Sequence, residues 1–161
     1  MKSDEKGIIV SQFTKHLDLI QQQLGNAGHS FVRINGSVPA HKRITCIQQF
    51  NLEATDSPRF ILCSLIAAGT GINLTRGNYA FMMDCWWNEA IENQAMDRIH
   101  RINQKIKVNV LRFVMKDPVE ERIVELQKAK RMQAKGVLQK LKGDEKMKAL
   151  LGDLRGLLQL E

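Results

Sequence analysis

Cysteine is scarce in this chain, and the three it has, Cys46, Cys63 and Cys85, are odd in number and far apart. Without a CxxC pair, a zinc ribbon or a dithiol redox centre is excluded, and a reducing compartment is expected with all three thiols buried. There are only 3 prolines, and the 11 glycines follow no period, which excludes collagen-like and low-complexity sequence. No stretch approaches the ~20 apolar residues that cross a bilayer, and the opening Met1-Lys2-Ser3-Asp4-Glu5-Lys6 lacks a signal peptide's apolar core. A soluble, intracellular protein with no membrane partner is expected. Acidic residues are also in deficit, 17 against 24 Lys and Arg, and the net charge of +7 favours a polyanionic partner such as nucleic acid.

What is present is ordinary globular composition, 43% hydrophobic over 161 residues, enough to bury one sizeable core. No upstream domain is expected inside this chain, because only six residues precede the first apolar run, Gly7-Ile8-Ile9-Val10. Gly7 to Gln12 reads as a buried strand and Thr14 to Ala27 as a helix, with Thr14 as N-cap, Leu17, Ile20 and Leu24 on one face, and Asn26-Ala27-Gly28 as its stop. A strand over 30–35, a turn at Gly36-Ser37-Val38-Pro39 and a helix from Pro39 to Phe50 follow. Strands over 59–65, 79–84 and 108–115 and a helix from Asn88 to Ile102 complete an alternation that implies a doubly wound α/β fold with a parallel sheet. Consecutive apolar residues in Phe60-Ile61-Leu62-Cys63 suit a sheet covered on both faces.

After Pro118 the character changes to a long helix from Val119 to about Leu141, rich in Lys and Arg, then Gly143 and a short amphipathic segment over 144–160. The domain boundary therefore falls after Asp117, giving 1–117 and 118–161. The basic helix reads either as a solvated face or as a surface for DNA.

Ligands of open α/β sheets bind beyond the carboxyl ends of the strands. There, Gly69-Thr70-Gly71 would let backbone N–H groups approach an anion. It is not a dinucleotide fingerprint, since Leu74 stands where a third glycine belongs, and no phosphate-loop Gly-Lys-Ser/Thr occurs. Further on, Gln94, Arg98 and Arg101 share a helix face, and paired guanidiniums can neutralise a transferring γ-phosphoryl group. The bland alternative is an i,i+4 surface ion pair of Asp97 with Arg101, worth ~0.3–0.5 kcal/mol. The histidines, His16, His29, His41 and His100, lack ligand-spaced partners, so no metal site is expected. Trp86 and Trp87 would point to opposite sides if extended, one of them into the core.

Taken in order, these pieces resemble the second RecA-like lobe of the Swi/Snf-type ATPases of helicase superfamily two. Ile8 to Phe13 resembles motif IV; Ile34 to Ser37 with Arg43 and Phe50-Asn51 resembles the block that follows; Ser64 to Thr75 resembles motif V. Asp84 through Trp87-Asn88 resembles the DxxWN block, Gln94 to Gln104 motif VI, and Asp117 to Ile123 the start of the brace helix. Within the family the chain is most similar to the helicase-like transcription factor and lodestar terminator group. Ala68 and Asn103 stand where the family usually has Gly, and Glu89 where it usually has Pro.

The resemblance implies a RecA-like parallel sheet with helices on both faces, followed by a C-terminal brace helix and a short terminal helix. It implies a nuclear, DNA-dependent ATPase whose ATP and Mg²⁺ are held chiefly by a preceding RecA-like lobe, with double-stranded DNA and chromatin or transcription proteins as further partners. Arg98 and Arg101 become arginine fingers and Gln94 a polar contact, with Gly69, Thr70 and Gly71 near the nucleotide. Ser11, Gln12, Gly36, Ser37, Arg43, Thr75 and Trp87 fall on the DNA track. This chain by itself is expected to be inactive, because it lacks the phosphate loop and the Mg²⁺-binding acidic pair. The competing reading is an ATP-independent interaction module that uses the basic helix. An RNA helicase would share the fold, but the Trp87-Asn88 block and brace helix favour the duplex-DNA branch.

Overall fold

The computed structural model describes residues 5–54, 56–69, 72–100, 106–116 and 118–136. The chain divides into two compact units, Met1–Phe113 and Val114–Glu161. In the first, strands β1 (Lys6–Ser11), β2 (Phe31–Ile34), β3 (Phe60–Ser64), β4 (Gly77–Met82) and β5 (Asn109–Arg112) alternate with α1 (Thr14–Asn26), α2 (Ala40–Asn51), α3 (Leu65–Gly69) and α4 (Glu89–Ile99). The strands form one parallel sheet in the order β2-β3-β1-β4-β5.

The central strands are those whose sequences are apolar without interruption. Every residue of β1 and β3 is buried, and they align Ile8 with Ile61 and Val10 with Cys63. Because side chains alternate along a strand, Ile8 and Val10 enter one core with Ile34, Ile61, Ala80, Met82 and, from the helices, Phe50, Ala95 and Ile99. Ile9 and Leu62 enter the opposite core, where α1 contributes Leu17, Ile20 and Leu24. Thus α1 covers one face while α2 and α4 cover the other. The connections leaving the adjacent strands β1 and β3 pass to opposite faces, which opens a crevice beyond their carboxyl ends.

Several local expectations are corrected. Thr14 is the first helical residue rather than the N-cap; Phe13 holds that extended position without a side-chain cap, and the Ser11 hydroxyl accepts the Phe13 N–H instead. Pro39 likewise precedes α2 as its cap residue. After β3 the motif V stretch winds through the one-turn α3, whose Ala68 is fully buried. Cys63 and Cys85 are buried, but Cys46 on α2 is partly exposed. Gly28 ends the α1 connection at φ +71°, the left-handed conformation that glycine adopts at no steric cost.

The amino end of the sheet is sealed by Lys6, whose ammonium donates to the carbonyls of Phe50 (2.5 Å) and Leu52 (2.8 Å) and to Ser57 Oγ (2.7 Å). Burial, and then the nearby Arg76 charge, lower its pKa below the ordinary lysine value.

The second unit contains α5 (Pro118–Gly136), with Glu120 and Glu121 in its first turn, where acids complement the helix dipole. Glu120 Oε2 accepts the Met115 N–H at 2.7 Å. The remainder of the expected basic helix and the 144–160 segment lie outside the described residues.

Candidate functional site

The crevice is a cleft of about 580 Å³, lined by Gln12, Phe13 and Thr14 after β1, Gly36 after β2, Ser64 to Ala67 after β3, Trp86 after β4, and Arg43 and Ile91 from the helices. Three expected track residues, Gln12, Gly36 and Arg43, therefore share one site although Gln12 comes from the β1 crossover and the other two from the β2 crossover. Apolar Phe13 and Ile66 are 57% and 74% exposed.

Hydrogen bonds support Arg43, Ser37 and the Gln12 backbone. Arg43 reaches back from the first turns of α2 to donate from Nε to the Val38 carbonyl (2.7 Å) and from Nη2 to the Gly36 carbonyl (3.0 Å), bracing the turn. Asn35 Oδ1 accepts both the N–H (3.2 Å) and the hydroxyl (2.7 Å) of Ser37, holding that residue at the exposed tip. The Gln12 N–H donates to both carboxylate oxygens of Asp84, at 3.1 and 3.2 Å. His16 Nδ1 lies 3.9 Å from the same carboxylate. Asp84 thus anchors the loop after β1 to the end of β4.

The expected track residues Ser11 and Thr75 do not line the cleft. Ser11 is 1% exposed and its hydroxyl donates to Asp84 Oδ2, the oxygen that also accepts the Gln12 N–H. Thr75 lies two residues before β4, whose first residue, Gly77, pairs with Lys6 at the start of β1. It therefore sits at the opposite end of the sheet from Gln12 and Gly36. Both tryptophans are partly buried; Trp86 packs against the core, and the two ring centroids are 6.0 Å apart at 48°.

A second group forms where α3 meets α4. Gln94 Nε2 donates to the Gly69 carbonyl at 3.3 Å, and a Cβ on Gly69 would lie 3.6 Å from Gln94 Cδ. Arg98 follows Gln94 by one turn on the same face, and its Nε is buried without a hydrogen-bond partner among the described residues. Thr70, Gly71 and Arg101 lie outside the described residues. The Asn88 side chain caps α4 by accepting the Ala90 N–H, which places Glu89 at the first helical position. There an acid suits the helix dipole and a proline would also fit, so the Glu89 departure leaves the helix start intact.

Sequence reasoning passed over Glu92. It is wholly buried, accepts the Trp86 N–H at 2.6 Å and pairs with Arg112 Nη2 at 2.5 Å. Its signal was present: Glu92, Ala95 and Ile99, at i, i+3 and i+7, form the buried stripe of α4, an unusual place for a carboxylate.

A family model described as the helicase conserved C-terminal domain matches residues 1–103. The chain is 45% identical to the DNA repair protein RAD5 of Cryptococcus neoformans, over 78% of this chain and 10% of that protein. It is 40% identical to the Homo sapiens helicase-like transcription factor, over 96% of this chain and 16% of that protein. It therefore spans between about a tenth and a sixth of the length of these curated relatives. Among solved structures, the C-terminal part of the Fun30 ATPase domain superposes with a TM-score of 0.70 at 36% identity, covering 76% of this chain and 39% of that one.

Proposed function

Because this chain belongs to the helicase conserved C-terminal domain family, in its Swi/Snf-type group, we propose that it is the second motor lobe of an ATP-driven double-stranded DNA translocase or chromatin remodeller. The observation that carries this reading is the gathering of Gln12, Gly36 and Arg43 around one carboxyl-end cleft. Its neighbour α4, which places Ile91 in the cleft wall, also carries Gln94 and Arg98.

In this reading Arg98 and Arg101 are the fingers that neutralise charge on the transferring phosphoryl group, and Gln94 with Gly69, Thr70 and Gly71 borders the nucleotide. The preceding lobe of the parent protein holds ATP and Mg²⁺. Gln12, Gly36, Ser37, Arg43 and Trp87 face the DNA, chiefly its phosphates, while Ser11 acts through Asp84. Closing the two lobes on ATP and opening after hydrolysis steps the protein along the duplex. The setting is the nucleus, with chromatin or transcription proteins as further partners, and residues 118–161 form the helical brace and extension.

Site-directed photocrosslinking to duplex DNA tests the placement. A crosslinker on Ser37→Cys, at the carboxyl end of the sheet, is expected to couple to DNA, and one on Glu53→Cys, beside Lys6 at the amino end, is not. Equal coupling from both positions contradicts the assignment.

A further inference from the structure

Glu92 is a carboxylate with no exposed surface, on the apolar stripe of α4. A charge taken out of water is costly even when paired, and a well-packed apolar side chain commonly serves stability as well or better. What Glu92 supplies that an apolar residue cannot is a pair of directed bonds. One oxygen holds the backbone N–H of Trp86 and the other holds the guanidinium of Arg112 on β5. Three elements meet on this one side chain: the segment after β4, the helix α4 and the edge strand.

Two of these elements carry residues of the proposed machinery. Trp86 walls the cleft that contains Gln12, Gly36 and Arg43, and its ring lies against that of Trp87. Two residues beyond Glu92, Gln94 holds the Gly69 carbonyl, and Arg98 follows one turn later. The Trp86 N–H bond is one short, directed link between the cleft wall and the finger helix, beside the apolar contribution of Ile91 to that wall.

We propose that Glu92 is a positioning residue that keeps the Trp86-Trp87 segment in register with the helix carrying Gln94 and Arg98, so that DNA bound at the cleft sets the placement of the finger. This rests on the DNA-dependent ATPase reading above. Arg112 orients the carboxylate, and because its side chain is 29% exposed it can regain water if Glu92 is neutralised.

The test measures kcat and KM for ATP, with and without saturating duplex DNA, in the parent protein containing both lobes. Glu92→Gln retains an oxygen for the Trp86 N–H but loses the charge that fixes Arg112. It is expected to lower the ratio of DNA-stimulated to DNA-free kcat at least ten-fold while KM moves less than two-fold. A lowered melting temperature with an unchanged ratio, the mark of a purely structural residue, overturns the proposal. Absence of DNA stimulation in the unsubstituted protein instead overturns the reading beneath it. Should Glu92→Gln not fold, Arg112→Lys keeps the charge but not the planar fork; a three-fold or greater loss of the ratio is expected there, and an unchanged ratio overturns the proposal.

Discussion

The Ser11 hydroxyl donates to Asp84 Oδ2, joining the carboxyl ends of two adjacent strands across 73 residues of sequence. With the Gln12 N–H on the same carboxylate, this bond fixes where the loop after β1 stands over the cleft. Ser11→Ala leaves a buried carboxylate short of a donor and is expected to cost about 1–3 kcal/mol in denaturant unfolding. Ser37→Ala, at an exposed turn, is expected to stay within about 0.5 kcal/mol. Equal effects at the two positions would show that the Asp84 anchor does not hold the loop.

Arg98→Ala and Arg101→Ala, each made in the parent two-lobe protein, are expected to lower kcat by about 10³-fold or more while DNA affinity stays within a few-fold. Lysine at either position should not restore the rate, because it lacks the planar fork of donors. Retained hydrolysis in the alanine variants would remove the finger assignment.

DNA binding by this chain should weaken steeply with salt, since each neutralised phosphate contributes a slope of about −0.9 in log K against log salt. Arg43→Ala is expected to reduce that slope by about one. A flat salt dependence in fluorescence anisotropy would mean that the net charge of +7 serves some other contact.

Burial, with Cys46 adding in the same direction, pushes the Cys63 thiol from 9.0 up to about 12. The folded chain therefore holds this proton more tightly than the unfolded one. The stability it contributes is fully present below the unfolded value and is lost as pH rises toward the folded value, by about 1.4 kcal/mol per pH unit. Cys63→Ala is expected to flatten the decline in stability between about pH 9 and 11. A decline as steep as that of the unsubstituted chain would show that Cys63 is not its source.

Much of this fold was legible because its central strands are apolar at successive positions. Ile8-Ile9-Val10 and Phe60-Ile61-Leu62-Cys63 suit a sheet covered on both faces, and the alternation with helices then points to a parallel order. The order β2-β3-β1-β4-β5 was not legible, since it depends on which apolar strands meet rather than on any one strand. In the site, Gln12, Gly36 and Arg43 were named from the resemblance alone, and the fold brings all three to one cleft. The burial of Ser11 was not legible, because sequence shows a polar residue but not the Asp84 that removes it from solvent. Nor was the place of Thr75, because the path of the crossover that carries it back to the far end of the sheet is not written in its residues. Glu92 was passed over because an acid near a helix start suits the helix dipole, and the apolar stripe around it was not followed.

The most direct measurement is steady-state phosphate release by the purified chain with ATP and Mg²⁺, with and without duplex DNA, and again after adding the preceding lobe of the parent protein. The expected result is no turnover by the chain itself and DNA-stimulated turnover when the two lobes are combined. DNA-stimulated hydrolysis by this chain without the other lobe would contradict the assignment of half a motor.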